Sequence, residues 1–143
     1  MSTNFAAGAS TVRAFAQEFG LVSVIDRAIS FHPSQFINGK LYNVPVNWNH
    51  KLRRTAGTFS SKDGIELHPG LACASPRDLH ATFLHELAHA MQFLVYGKVD
   101  HGETWWEMMH QLGQKPTRTH NIPECQGRLT PASVGINVKD LGL

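Results

Sequence analysis

The strongest periodicity in the chain lies in residues 76–97, where Leu79, Phe83, Leu84, Leu87, Ala88, Met91, Leu94 and Val95 recur at three- and four-residue steps. That spacing predicts one helix of about 20 residues. Its start is marked by Ser75-Pro76-Arg77-Asp78, a capping serine with proline at the first helical position and an acid at the third, and Gly97 offers the stop. Apolar residues cover most of its girth, so it should be buried. A second stripe, Val12, Phe15, Ala16, Phe19, Val22, Ile25, Ala28 and Ile29, predicts a helix over residues 11–30. Ser10 or Thr11 caps it, Gly20 weakens it, and it should pack on the first.

Between these helices the period changes to two. Apolar residues at 42, 44, 46 and 48 predict a half-buried strand over residues 41–48, which Pro45 demotes toward an edge. Residues 55–59 and 65–68 read as two further short strands around a turn at residues 60–64, together a three-stranded antiparallel meander. After the long helix, residues 103–112 form a short helix with Trp105, Met108, Met109 and Leu112 inward, stopped by Gly113. Beyond Gln114, Pro116, Pro123 and Pro131 with Gly127, Gly135 and Gly142 break every period. An irregular tail is expected there, with one short strand at residues 134–138. The fold class is α+β: an N-terminal helix, a small three-stranded antiparallel sheet, a long helix and a short following one. We divide it into a domain over residues 1–121 and a tail over 122–143.

Composition narrows the class. At 143 residues the chain suits one domain with its own core. Its 42% apolar and 17% charged residues are those of an ordinary globule. Cys73 and Cys125 form neither a C-x-x-C pair nor a disulfide framework, which fits a reducing compartment. The first ten residues lack the basic and apolar stretches of a signal peptide, and no apolar run approaches a membrane span, so a cytoplasmic location is expected. A formal charge of +2 with nine histidines falls far short of a dedicated nucleic-acid binder.

The long helix carries His85-Glu86-Leu87-Ala88-His89, an H-E-x-x-H. Histidines at i and i+4 lie one turn apart on the same face, so two imidazoles can reach one ion with the glutamate beside it. Buried histidines and a buried glutamate need a partner for their polar groups, and a Zn2+ ion supplies one. A hydrolytic zinc site takes three protein ligands and leaves one position open. The nearest further donor is His101: from His89 to Gly97 the helix descends roughly 12 Å, and four extended residues climb back about 13 Å. Glu103 and Glu107 are rival third ligands. The spacing is longer than in metzincins, whose third histidine follows after five residues.

The order of further features resembles the SprT-like (Spartan/SprT) metalloprotease family: Trp48, then Leu52-Arg53-Arg54-Thr55-Ala56-Gly57, Ile65-Glu66-Leu67, the H-E-x-x-H, and His101-Gly102 with Trp105 and Leu112-Gly113. The resemblance spans residues 36–121. It implies a minimal zincin-like fold, one zinc held by His85, His89 and His101, Glu86 as catalytic general base, and a protein or peptide substrate, with DNA-associated or crosslinked proteins among the substrates of the family. Many bacterial members continue into a zinc ribbon with paired cysteines; here that region holds only Cys125.

Two rival readings share the motif: a zinc hydrolase of a non-protein amide, and a binding module that keeps zinc for structure alone. Tyr42, Tyr96, His110 and His120 are candidates to stabilise an oxyanion, although packing or solvated roles suit them better. His32, His50, His68 and His80 read as surface or satisfied core histidines. Lys51, Arg53 and Arg54 form the tightest basic cluster. Beside Trp48 they allow a weak contact with single-stranded DNA, through phosphates and base stacking. Nothing in the pattern fixes the oligomeric state.

Overall fold

The computed structural model describes residues 10–36, 39–73 and 76–115. Strand β1 (Ser10–Thr11) runs directly into helix α1 (Val12–Phe19), and α2 (Val22–Ile29) follows. Next come β2 (Pro45–Trp48), β3 (Gly57–Ser60) and β4 (Gly64–Leu67), then the long helix α3 (Pro76–Tyr96) and the short α4 (Glu103–Gln111). The expected cap Ser75, the tail and its strand at 134–138 lie outside the described residues.

The α+β class and the order of helices agree with the sequence reading; three details differ. The helix expected over residues 11–30 is two helices. Thr11 accepts a hydrogen bond from the Ala14 amide at 3.2 Å, and the chain leaves α1 at Gly20 in the left-handed conformation, φ 71°. A kink there lets Leu21 and Ile25 turn into the same core as Phe15 and Ala16.

The strand expected from residue 41 begins only at Pro45. The carbonyls of Tyr42 and Val44 are taken instead by the amides of Arg13 (3.0 Å) and Val12 (2.9 Å), donors that a helix start leaves without partners inside the helix. Tertiary demand from α1 therefore outcompetes strand pairing over residues 41–44.

The sheet is not a meander. It has four strands in the order β1-β2-β4-β3, mixed in direction: β1 and β2 antiparallel, β2 and β4 parallel, β4 and β3 antiparallel. The most apolar strand, β4, with Ile65 and Leu67 buried, takes the inside position and leaves the more exposed β3 at the edge. Pro45 begins β2, where it faces Thr11 of a two-residue strand.

Helix α3 is buried from Leu79 to Gln92 on nearly every side. Phe83 stacks on Phe15 of α1 with ring centroids 4.2 Å apart, which seats the N-terminal helix against it as the pattern predicted. Edge strand β3 crosses its other side. Leu87 and Met91 join Trp105, Met108 and Met109 of α4 in one core, each such side chain contributing about 1.5–3 kcal/mol of transfer free energy.

Candidate metal centre

His85 and His89 emerge from the middle of α3, where the helix has least freedom, 4% and 5% exposed. After Tyr96 the chain turns at Gly97, whose amide closes the helix on the Phe93 carbonyl at 2.8 Å. The short return through Asp100 then brings His101 back alongside. The ligand-type nitrogens of His85, His89 and His101 all lie within 4.8 Å of one another. Nε2 of His89 and Nε2 of His101 are 3.3 Å apart. Two donors at zinc–nitrogen bond lengths from a tetrahedral ion are separated by about 3.3–3.4 Å, so the spacing suits such a centre. The three histidines could hold a metal ion, and an all-imidazole set suits zinc among others.

Glu86 lies between them in sequence, 6% exposed, with one carboxylate oxygen 3.8 Å from His85 Nε2. Burial pushes its carboxyl up to about 8. Gly57 of β3 is the reason it can sit there. A Cβ at position 57 would lie 3.0 Å from Glu86 Cγ and 3.1 Å from Thr82 Cγ2, tight contacts that glycine avoids.

The imidazole of His89 is pushed down to about 4, chiefly by burial and then by the neighbouring His101 charge, partly offset by Gln92 and Asp100. It stays neutral near pH 7, the form a metal requires. Trp105 backs all three rings: stacked on His89 at 5.6 Å and edge-on to His85 and His101 at 5.1 and 4.8 Å between centroids. The sequence reading gave Trp105 only a core role. It named Gly57 without its approach to Glu86, and it missed Gln92, a fully buried amide three residues after His89. The signal for Gln92 was a further polar residue inside the apolar girth of the helix, one turn past the H-E-x-x-H.

The other candidates are placed elsewhere. Glu103 and Glu107 do not join the cluster, and Glu107 instead accepts from the Tyr96 hydroxyl at 2.8 Å. The Tyr42 hydroxyl donates to Asp26 at 2.6 Å beside α2, which removes it as an oxyanion donor. Burial, with that bond, raises its pKa. Exposed His110 lies edge-on to Trp106; His120 is outside the described residues.

His68, fully buried, accepts from the Gly70 amide at 2.9 Å and donates through Nε2 to the Arg53 carbonyl at 3.0 Å, a satisfied core histidine. That bond pins the loop bearing exposed Lys51, Arg53 and Arg54 between β2 and β3. Glu66 accepts from Asn49 at 3.1 Å. Trp48 is half-buried at the end of β2.

An α+β fold whose central buried helix carries H-E-x-x-H, with a return loop closing a three-histidine cluster, defines a helix-borne candidate metal centre. The sequence model of the SprT-like family matches residues 26–126, and the chain belongs to that family. It is 31% identical over 85 residues to the germ cell nuclear acidic protein of Drosophila melanogaster, an alignment covering 52% of this chain and 8% of that protein. No solved structure matches. Among the described residues no helix is long and apolar enough to cross a membrane.

Proposed function

We propose that this protein is a zinc-dependent endopeptidase, with residues 1–121 as its catalytic domain, acting in a reducing compartment such as the cytoplasm. The observation that carries this reading is the convergence of His85, His89 and His101 beside a buried Glu86. His85, His89 and His101 would hold a zinc ion, which when bound would supply Lewis acidity at the site. Glu86, buried beside them, would act as the general base, taking a proton from the attacking water and later returning it to the leaving amine.

The substrate is an extended polypeptide. Among the described strands β3 has one neighbour, β4, and it runs against α3 at Glu86 itself. An extended peptide added along that edge would bring its backbone to the carboxylate. The loop of Lys51, Arg53 and Arg54 leads into the same strand, and with Trp48 it offers a shallow contact for single-stranded DNA. Substrates bound or crosslinked to DNA fit this arrangement.

The test incubates zinc-loaded full-length protein with an unfolded protein, with and without single-stranded DNA. Internal cleavage that stops on chelation and returns with zinc supports the proposal. Absence of cleavage by a zinc-loaded protein under both conditions would count for a hydrolase of another amide or a structural zinc module.

A further inference from the structure

Gln92 links two segments that the cluster must bring together. It is fully buried on α3, one turn past His89. Its Nε2 donates to Asp100 Oδ1 and to Thr104 Oγ1, both at 2.7 Å. Its Oε1 accepts from the Asp100 amide at 3.1 Å and faces His89 Nδ1 at 3.5 Å. Asp100 Oδ1 in turn accepts from the Gly102 amide at 2.9 Å. One side chain thus holds the residues on both sides of His101 and the first turn of α4, while touching the second helix histidine.

Resting on the metal-centre reading above, we infer that Gln92 is a positioning residue that presets the three-histidine site. An amide oxygen can only accept, so the Nδ1 that faces it carries the ring proton of His89. The lone pair is then left on Nε2, the atom 3.3 Å from His101 Nε2. The amide nitrogen does the complementary work. It ties Asp100 to the helix, and the residue next to Asp100 is His101. A buried amide with both ends engaged fixes the loop without adding charge beside the ligands. Leaving those groups unpaired would be costly inside the core, which makes the return path of residues 97–102 a defined one.

The experiment uses full-length protein and three variants, Gln92→Met, Asp100→Ala and the pair. Nitrogen-15 NMR of the metal-free protein reads the His89 ring tautomer, and competition with a chromophoric chelator reads zinc affinity. Gln92→Met keeps the volume of the side chain and removes both hydrogen-bonding ends. It is expected to mix the His89 tautomers and to weaken zinc binding about 10- to 100-fold. Asp100→Ala, at an exposed position that tolerates truncation, is expected to weaken zinc binding several-fold and to leave the His89 tautomer in place. The double variant should lose less than the sum of the two single losses, because both changes cut the Gln92–Asp100 bond while only Asp100→Ala also removes the acceptor of the Gly102 amide.

A folded Gln92→Met with the native tautomer and native affinity would overturn the inference, as would additive losses in the pair. Should Gln92→Met fail to fold, unchanged affinity in Asp100→Ala overturns it by itself. A wild-type protein that binds no zinc would sink the metal reading instead, and the metal-free His89 tautomer in Gln92→Met would still decide whether Gln92 holds that ring.

Discussion

His85, His89 and Glu86 are each expensive to bury alone, and their arrangement gives each a distinct test. Because metal binding couples to folding in a site of this size, His85→Ala is expected to lose stoichiometric zinc and lower the melting temperature. His101→Ala should do the same; normal zinc content there would return Glu103 or Glu107 to consideration. Glu86→Gln should keep fold and zinc but reduce hydrolysis by a factor of about 10² or more. Metal loss in that variant would assign Glu86 to the ligand set.

The buried carboxyl also predicts a pH dependence in the metal-free protein. Its pKa rises from 4.5 to about 8 on folding, so the folded state holds the proton more tightly than the unfolded one. The stability tied to the neutral carboxyl is complete below pH 4.5 and is lost progressively as pH rises through about 8, at up to about 1.4 kcal/mol per unit. The depressed His89 imidazole adds stability as pH rises toward 6.5 and so opposes the decline below that pH. Denaturant titrations of chelator-treated protein between about pH 6.5 and 8 should show the decline, and Glu86→Gln should remove it.

At the scale of elements, the decisive contact is that of edge strand β3 with helix α3. Gly57→Ala places a methyl group 3.0 Å from Glu86 Cγ, tighter than nearly all packed contacts. Either strand or carboxylate must move. The expected cost is about 1–3 kcal/mol in denaturant unfolding, with zinc content retained and peptide cleavage reduced. Native activity in a folded Gly57→Ala would show that Glu86 tolerates displacement and that β3 does not set its position. In the described sheet β4 occupies the inside position and β3 the edge, so this contact joins an edge strand to α3 at Glu86.

For the whole molecule, charge limits what nucleic acid can contribute. The chain carries a net +2, and the exposed Lys51, Arg53 and Arg54 share one loop. About three phosphate contacts on a single strand give a slope of roughly −2 for log affinity against log salt concentration. Replacing Arg53 and Arg54 with alanine should flatten that slope. Titration of labelled single-stranded DNA at several salt concentrations measures it. A steep slope with tight binding would reveal a basic surface built from dispersed residues, and no binding would leave a protease that finds its substrates without DNA.

The sequence by itself determined the long helix and what it carries, because a 3.6-residue apolar period, a glycine stop and two histidines one turn apart are local properties. His101 was within reach by chain length alone, yet length could not choose it over Glu103 or Glu107. In the fold His101 joins His85 and His89, on a return where Gln92, Asp100 and Thr104 meet only after the chain has turned back. Helix breaking at Gly20 was visible as a weakness, and its consequence, two helices sharing one core, came from packing against α3. Strand positions were legible from alternation, but partners were not: pairing energy depends on which strands become neighbours, and β4 passes between β2 and β3 because its side chains are the ones that can be buried on that inside position. Gly57 shows the same limit at one residue, since a small side chain in a strand signals close approach without naming what approaches. Only the tertiary structure decided that it is Glu86.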